Sequence, residues 1–356
     1  MISRKVLLVL AGVLVALGLI SALTGRSRYA TAEHGGFVEL LDESFDAAQV
    51  QRIRAWLGSL PDEPVVLERS GEGWVVASRW GWTAKEDLVK RLLDDFQALR
   101  GEKRASSADV LADFEADDEK GLHVVAEAGG GSELFHLVVG KTSVRGGGFV
   151  RLMGSNDVYL TQTALRSSFG VWGEEPKAPD PKRWIELRVY QADRLDVDRI
   201  TIRDGAKETV LEKEFALAAA APPPAPADTT APADTAGAPP PSAPPGPDRS
   251  DWTWKRDASG EFDKNKADGI LSTLCSLYAF DVAAPESTAA YGLDAPKRSA
   301  EIALQSGETV TVWFGADTED AKKTWFRVGP DGRPAVIYKS TVDRIFQKRQ
   351  DLKPEA

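Results

Sequence analysis

Few residues of this chain have both the type and the spacing to do chemistry. His123 and His136 stand thirteen residues apart in the strand-like strings GLHVV and LFHLVV. Two imidazoles on one sheet face, beside a carboxylate, would form an acid–base pair or part of a metal site. Taken singly, each is a strand histidine in apolar surroundings, and His34 belongs to neither string. Asp113, Glu115, Asp117, Asp118 and Glu119 set oxygen donors at alternate positions, like the opening of a calcium loop. Such a loop needs glycine at its sixth position and a bidentate glutamate at its twelfth. This chain has Asp118 and Val124 there, so the run reads as a solvated turn. Asp113 and Glu115 would also be the carboxylates of an envelope hydrolase, kept as a second alternative function.

Cys275 is the only cysteine, which excludes an intramolecular disulfide and a thiolate zinc cluster. Its place between Leu274 and Leu277, on an apolar helical stripe, makes it a small buried hydrophobe. Trp74, Trp80, Trp82, Trp252, Trp254, Trp313 and Trp325 alternate with polar residues as half-buried strands do. Core packing is their first reading. An aromatic surface for a cell-wall glycan or polysaccharide, built on Trp80, Trp82, Trp252 and Trp254, is the alternative. No G-x-S-x-G elbow, Walker loop, H-E-x-x-H or dinucleotide-binding glycine fingerprint occurs. The sequence therefore assigns no catalytic residue, no metal ligand and no cofactor, and a non-enzymatic role is expected.

The elements that must position these residues occur twice. The first set reads VVLERSGEGWVVAS from Val65 to Ser78, an amphipathic helix, LFHLVVG ending at Gly140, and FVRLMGSNDVYL ending at Leu160. The second reads TVLEKEF from Thr209 to Phe215, DWTWKRD, a helix, VTVWFG ending at Gly315, and TWFRVGPDGRPAVIYKS ending at Ser340. A repeat longer than about 100 residues is a duplicated domain, not a solenoid unit. In the first helix Thr83 and Glu86 spell a capping box, Leu88, Leu92, Leu93, Phe96 and Leu99 form an apolar stripe, and Gly101 is the expected stop. In the second, Asp263 is the expected cap of a helix carrying Ile270, Leu271, Leu274, Leu277 and Tyr278. Gly146-Gly147-Gly148 and Pro330-Asp331-Gly332 punctuate hairpins. QVQRIRAWLG alternates too weakly to decide, whereas its counterpart VDRITIRDG, Val197 to Gly205, reads as a strand. One helix over several antiparallel strands predicts the α+β class.

The chain has 356 residues, enough for two domains that each bury a core. Its net charge is −10; setting aside Arg4, Lys5, Arg26 and Arg28, which flank the first apolar segment, leaves 40 basic against 54 acidic residues. Such a surface repels phosphate backbones and excludes nucleic acid as a partner. Val6 to Leu23 is an 18-residue run without charge, about 27 Å long as a helix and so nearly the span of a bilayer core. The competing reading is a cleavable signal peptide, but the only A-x-A pattern nearby, Ala30-Thr31-Ala32, lies beyond two arginines, which favours an uncleaved signal anchor. Residues 216–250, rich in proline and alanine, cannot pack a core and read as an extended, polyproline-like disordered insertion within the second domain. Enlarging a turn of about five residues to about 35 costs only about 1.7 kcal/mol of loop closure.

Tyr291-Gly292-Leu293-Asp294-Ala295-Pro296, after an apolar helix and before a strand ending in glycine, resembles the bacterial domain of unknown function 4340 family. Gly73-Trp74-Val75, LVVG at Leu137 to Gly140, and FVRLMGSNDVYL resemble it too. The first copy departs from the pattern at LADFEADDEKG, and the second through its insertion. The resemblance implies a membrane-anchored extracytoplasmic protein, often duplicated, accompanying ABC transporters of the gliding-motility auxiliary type. It implies no catalytic residues. Physically, YGLDAP reads as a structural turn: Gly292 takes the left-handed conformation, Asp294 bonds the following backbone and Pro296 sets the next strand.

The expected organisation is a membrane anchor at 1–28, a juxtamembrane segment at 29–46, a first α+β repeat at 47–172, a linker at 173–182, and a second repeat at 183–350 carrying the insertion. The expected role is a non-catalytic accessory or scaffold of a transporter or envelope complex. It would be a single-pass protein of the bacterial cytoplasmic membrane with its bulk outside the cytoplasm.

Overall fold

The computed structural model describes residues 36–42, 44–144, 146–173, 177–216 and 248–354. The expected membrane anchor, the start of the juxtamembrane segment and most of the insertion lie outside the described residues. Among the described residues no helix is long and apolar enough to cross a membrane. The fold is mostly β, with two large antiparallel sheets and few helices, so helices contribute less than the expected α+β class implied.

The chain divides into two compact units between Glu186 and Leu187. The first sheet contains β1 (Val38–Glu39), β2 (Arg52–Leu57), β3 (Leu60–Ser70), β4 (Gly73–Val76), β5 (Trp82–Thr83), β6 (Arg100–Ala105), β7 (Leu122–Glu127), β8 (Glu133–Thr142), β9 (Gly148–Leu152) and β10 (Val158–Thr161). Its helices are α1 (Glu86–Gln97) and the single turn α2 (Leu165–Ser168). The second unit pairs β11 (Arg188–Gln191) with β15 (Ser276–Tyr278). Its main sheet holds β12 (Val197–Asp204), β13 (Lys207–Ala216), β14 (Asp248–Trp254), β16 (Asp281–Val282), β17 (Arg298–Leu304), β18 (Thr309–Asp317), β19 (Lys323–Val328) and β20 (Ala335–Tyr338). Helices α3 (Lys264–Leu274) and α4 (Lys339–Ile345) belong to this unit.

The two sheets share one topology. The first runs β5-β4-β3-β2-β7-β8-β9-β10-β6-β1 and the second β14-β13-β12-β17-β18-β19-β20-β16, so β4 through β6 of the first order match the whole of the second. Register agrees as well. His123 faces Val138, which faces Arg151; Ser299 faces Trp313, which faces Arg327. The indecisive string QVQRIRAWLG is strand β2: Ile53, Ala55 and Leu57 are buried on one face, and Arg52 and Arg54 on the other pair with Glu68 and Glu127 at 2.9 and 3.0 Å. Charged partners on the second face had hidden its period of two.

Helix α1 starts without the expected capping box. Thr83 is the last residue of β5, and Lys85 occupies the N-cap without a side-chain capping bond to the helix. The Glu86 carboxylate instead accepts from the Trp74 backbone N–H at 3.0 Å, pinning the helix to β4. The buried stripe is Val89, Leu92 and Phe96, continued by Leu99, with Phe96 edge-on to Phe135 of β8 at 5.0 Å. Leu88 and Leu93 lie at its margins. Gly101 is no helix stop. It sits within β6, where a Cβ would stand 2.7 Å from Tyr159 Cβ. Asp263 does cap α3, accepting from Lys266 N at 2.9 Å, and Ile270, Leu271 and Leu274 are its buried face. Leu277 and Tyr278 follow the helix in β15, the first buried and the second exposed.

Residues expected to open the second domain pack on the first. Trp184 is buried against Phe169 with ring centroids 5.3 Å apart, Ile185 bridges to Ala84, and Glu186 N donates to Thr83 O at 2.8 Å. The second unit accordingly begins at Leu187, not at 183. Strands β13 and β14, which flank residues 217–247, pair as a hairpin with Phe215 opposite Trp252.

A turn seated on a strand glycine, Gly140 of β8 and Gly315 of β18, is the most specific feature the units share. In the second, Gly292 has φ of 68°, Leu293 is fully buried, and Ala316 N donates to Tyr291 O at 2.8 Å. The Tyr291 ring stacks on Trp325 of β19 at 4.0 Å. Asp294 stays exposed, and among the described residues its carboxylate does not bond the following backbone, contrary to expectation. In the first unit, Phe114-Glu115-Ala116 takes the same shape inside the string that departs from YGLDAP. Glu115 has φ of 51°, Ala116 is fully buried, and the Phe114 ring lies 4.7 Å from Phe149 of β9. Both turns press a carbonyl onto a glycine: a Cβ on Gly140 would meet Phe114 O at 2.2 Å, and one on Gly315 would meet Tyr291 O at 2.1 Å. Gly140→Ala and Gly315→Ala should each destabilise their unit by about 2 kcal/mol or more in urea unfolding of the full chain. Gly269→Ala, in helix α3 with nothing within 4 Å of a new Cβ, should stabilise by about 1 kcal/mol.

Candidate functional site

The densest polar arrangement lies on the outer face of the first sheet, where register sets Trp56 of β2 opposite His123 of β7. His123 Nδ1 and His136 Nε2 are 2.9 Å apart, and His123 Nε2 is 2.9 Å from the Asp118 carbonyl oxygen. Because a carbonyl only accepts, His123 carries its proton on Nε2 when neutral. Its Nδ1 then accepts from the Nε2–H of His136. Trp56 stacks on His123 with centroids 5.1 Å apart and planes within 9°. The Arg54 guanidinium lies 5.4 Å from the Trp56 ring centroid and its Nε donates to Glu127 at 3.0 Å. Arg151 of β9, its side chain 5% exposed, pairs with the Asp118 carboxylate and donates to the Ala116 carbonyl.

These bonds close a chain from the acidic turn across β7 to β8. Both histidines face the same way, as an acid–base pair requires. No group of three or more His, Cys, Asp and Glu side chains suited to a metal occurs among the described residues. Burial holds the His136 imidazole below its ordinary pKa; His123, Arg151 and Arg54 push the same way, and Glu133 opposes them. Singly charged, the pair keeps its hydrogen bond. Doubly charged, it sets two N–H donors face to face. Sequence reasoning found the histidines but missed Trp56 and Arg151. The arginine within the apolar string FVRLM was the available signal, since a charge at a buried strand position needs partners.

The other sequence candidates fall into structural roles. Trp82, Trp252 and Trp254 are buried, and only Trp80 of the proposed four is exposed, in a left-handed turn with φ of 55°. Trp252 and Trp254 both donate Nε1–H to Asp268 Oδ1, at 3.2 and 2.9 Å, fixing α3 on β14. Asp113 is exposed, while the Glu115 carboxylate lies 3.4 Å from Arg166. Asp117 accepts from the turn N–H groups of Glu119 and Lys120, and Asp118 pairs with Arg151 of β9. Cys275 is buried at the end of α3, its thiol pushed up to about 11 by burial. Nearby Lys213 is buried, donates to the Arg194 carbonyl, and lies over Trp252 at 4.0 Å. Burial, with Arg249 and Arg194, brings its amine down to about 8. Beside YGLDAP lies an open depression of 560 Å³, lined by Tyr291, Trp325, Asp317 and Asp320 among others. Two of its three acids are already engaged: Asp317 by Lys339 and Thr324, Asp320 by Thr318 and Lys323.

The sign of the histidine effect follows from its lowered folded-state pKa. The unfolded chain takes up the proton first, near the ordinary value of about 6.5, so stability is full above that pH and falls as pH drops through it. The urea midpoint of the full chain should therefore be lower at pH 5.5 than at 7.5, and His136→Gln should remove most of that difference. A slope unchanged by His136→Gln would mean that other groups carry it. Cys275 should react with an aromatic disulfide at neutral pH only on unfolding, which a thiol release assay reads directly.

No curated protein and no solved structure matches this chain. A protein-family model does match, and it covers the first unit's turn, both histidines and the first strands of the second unit, with Tyr291–Pro296 beyond it: residues 74–236 carry the domain of unknown function DUF4340.

Proposed function

We propose that this protein is a non-catalytic, membrane-tethered accessory or scaffold whose two sheet units are duplicated modules outside the cytoplasm, serving an ABC-type transporter or envelope complex. The observation that carries this reading is the recurrence, in both units, of one strand order and one glycine-seated turn. Two modules that keep topology and turn while differing in surface residues suit a protein that presents two related faces to partners. Several polar groups that the sequence marks for chemistry, Glu115, Asp117, Asp118 and His123 among them, bond to neighbouring turns and strands. Val6 to Leu23 supplies the tether, and confinement at a membrane raises the effective concentration of both modules near their partners. The DUF4340 match at residues 74–236 supports the family resemblance, and transporter association is the part of this proposal that the resemblance suggests.

Affinity purification of the full chain from mildly solubilised membranes should recover subunits of a membrane complex well above background. Protease added to spheroplasts should digest the sheet units. Recovery of no membrane-complex subunit, or a chain wholly shielded from protease, would sink this reading.

A further inference from the structure

The second unit contains a groove of 630 Å³ whose two walls differ in kind. One wall is a face of α3 and the start of β15: Gly269, Ser272, Thr273 and Ser276. The other is aromatic. Tyr278 and Tyr338 are 55% and 51% exposed, and Phe280 meets Tyr338 edge-on at 5.0 Å. Rings opposed by small residues and hydroxyl groups suit a polyproline II strand. Its proline rings pack between aromatic rings, and its carbonyls, unbonded within the strand, accept from the phenolic hydroxyl groups of Tyr278 and Tyr338; the Ser272 and Thr273 hydroxyls already donate to the Asp268 and Gly269 carbonyls of α3.

We propose that this groove binds residues 217–247 of the same chain. That segment holds eleven of the 21 prolines and three P-x-x-P strings, beginning at Pro223, Pro241 and Pro244. The strand that leaves the segment is tied to the helix that lines the groove. Strand β14 leads out of the segment, and its Trp252 and Trp254 bind Asp268, the residue before groove-lining Gly269. Reach is ample: half of the segment, about 15 residues, extends about 46 Å as polyproline II, whereas α3 is only about 16 Å long. Charge agrees too, since Arg344 lines the groove and the segment carries Asp228 and Asp234. This inference is independent of the membrane and transporter assignment.

The test is tyrosine nitration of the full chain, read residue by residue by peptide mass spectrometry. The native chain is compared with a variant whose prolines from Pro222 to Pro247 are replaced by serine. A tethered ligand at an effective concentration near 1 mM, with a dissociation constant tenfold lower, fills the groove about 90% of the time. Tyr278 and Tyr338 should then nitrate about tenfold more slowly in the native chain than in the serine variant. A peptide of residues 221–247 added to that variant should slow them again. Tyr291, stacked on Trp325 away from this groove, reports whether both chains are folded. Equal rates in the two chains would overturn the proposal, as would protection that survives in the serine variant. Protection that grows with protein concentration would assign the occupant to a second copy and overturn it equally.

Discussion

Both units depend on a single backbone contact, a turn carbonyl set against a strand position with no side chain. Gly140 and Gly315 allow the approach; any Cβ there would occupy the space of Phe114 O or Tyr291 O. Once the turn is seated, its aromatic ring lies on the neighbouring strand and its apolar residue is buried. The left-handed residue between them lets the chain reverse within so short a distance. Gly292 adopts that conformation freely, while Glu115 does so at a steric cost of about 1 kcal/mol. The Arg166 guanidinium, 3.4 Å from the Glu115 carboxylate, offsets part of that cost.

The same turn organises the buried charges of the first unit. Arg151 is held by the Ala116 carbonyl and by Asp118; Arg166 points to the carbonyls of Lys120 and Val139. Burial lowers the pKa of Arg166, with Glu115 and Asp117 opposing. Buried guanidinium groups keep their charge only where acceptors replace lost water, and here the acceptors are mostly main-chain carbonyls of loops. Loop conformation and side-chain ionisation are thus coupled. His123 joins the arrangement through another carbonyl of the same loop, that of Asp118.

Much of this architecture was legible in the sequence because strands with one buried face alternate. The strings around Val65, Leu137 and Val310 all proved to be strands, and Asp263 proved to be a cap. What escaped had local causes. The two-residue strands β1, β5 and β16 are too short to show a period. Thr83 and Glu86 have capping-box spacing, but Glu86 finds a better-placed N–H on Trp74 across the hairpin. Gly101 has the position of a helix stop, yet its lack of a side chain serves the packing of Tyr159 against β6. The equivalence of Phe114-Glu115-Ala116 with Tyr291-Gly292-Leu293 was hidden because each position kept only its physical role, aromatic, left-handed or buried, and none kept its residue type. At the candidate site the histidines could be read as a pair, but their stacking on Trp56 depends on strand register, which no local string reveals.

The hairpin of β13 and β14 has a mechanical consequence. The two chain ends that lead into and out of residues 217–247 leave the sheet side by side, at its rim. A load pulling on that segment away from the sheet would open the ladder like a zipper, one pair at a time from Ala216 and Asp248 inward. A load applied along the strands would have to break all the pairs together. The first path is much the weaker, and it ends where Trp252 and Trp254 are anchored to Asp268. Traction at this rim would therefore yield locally while leaving the remaining ladders of the sheet intact.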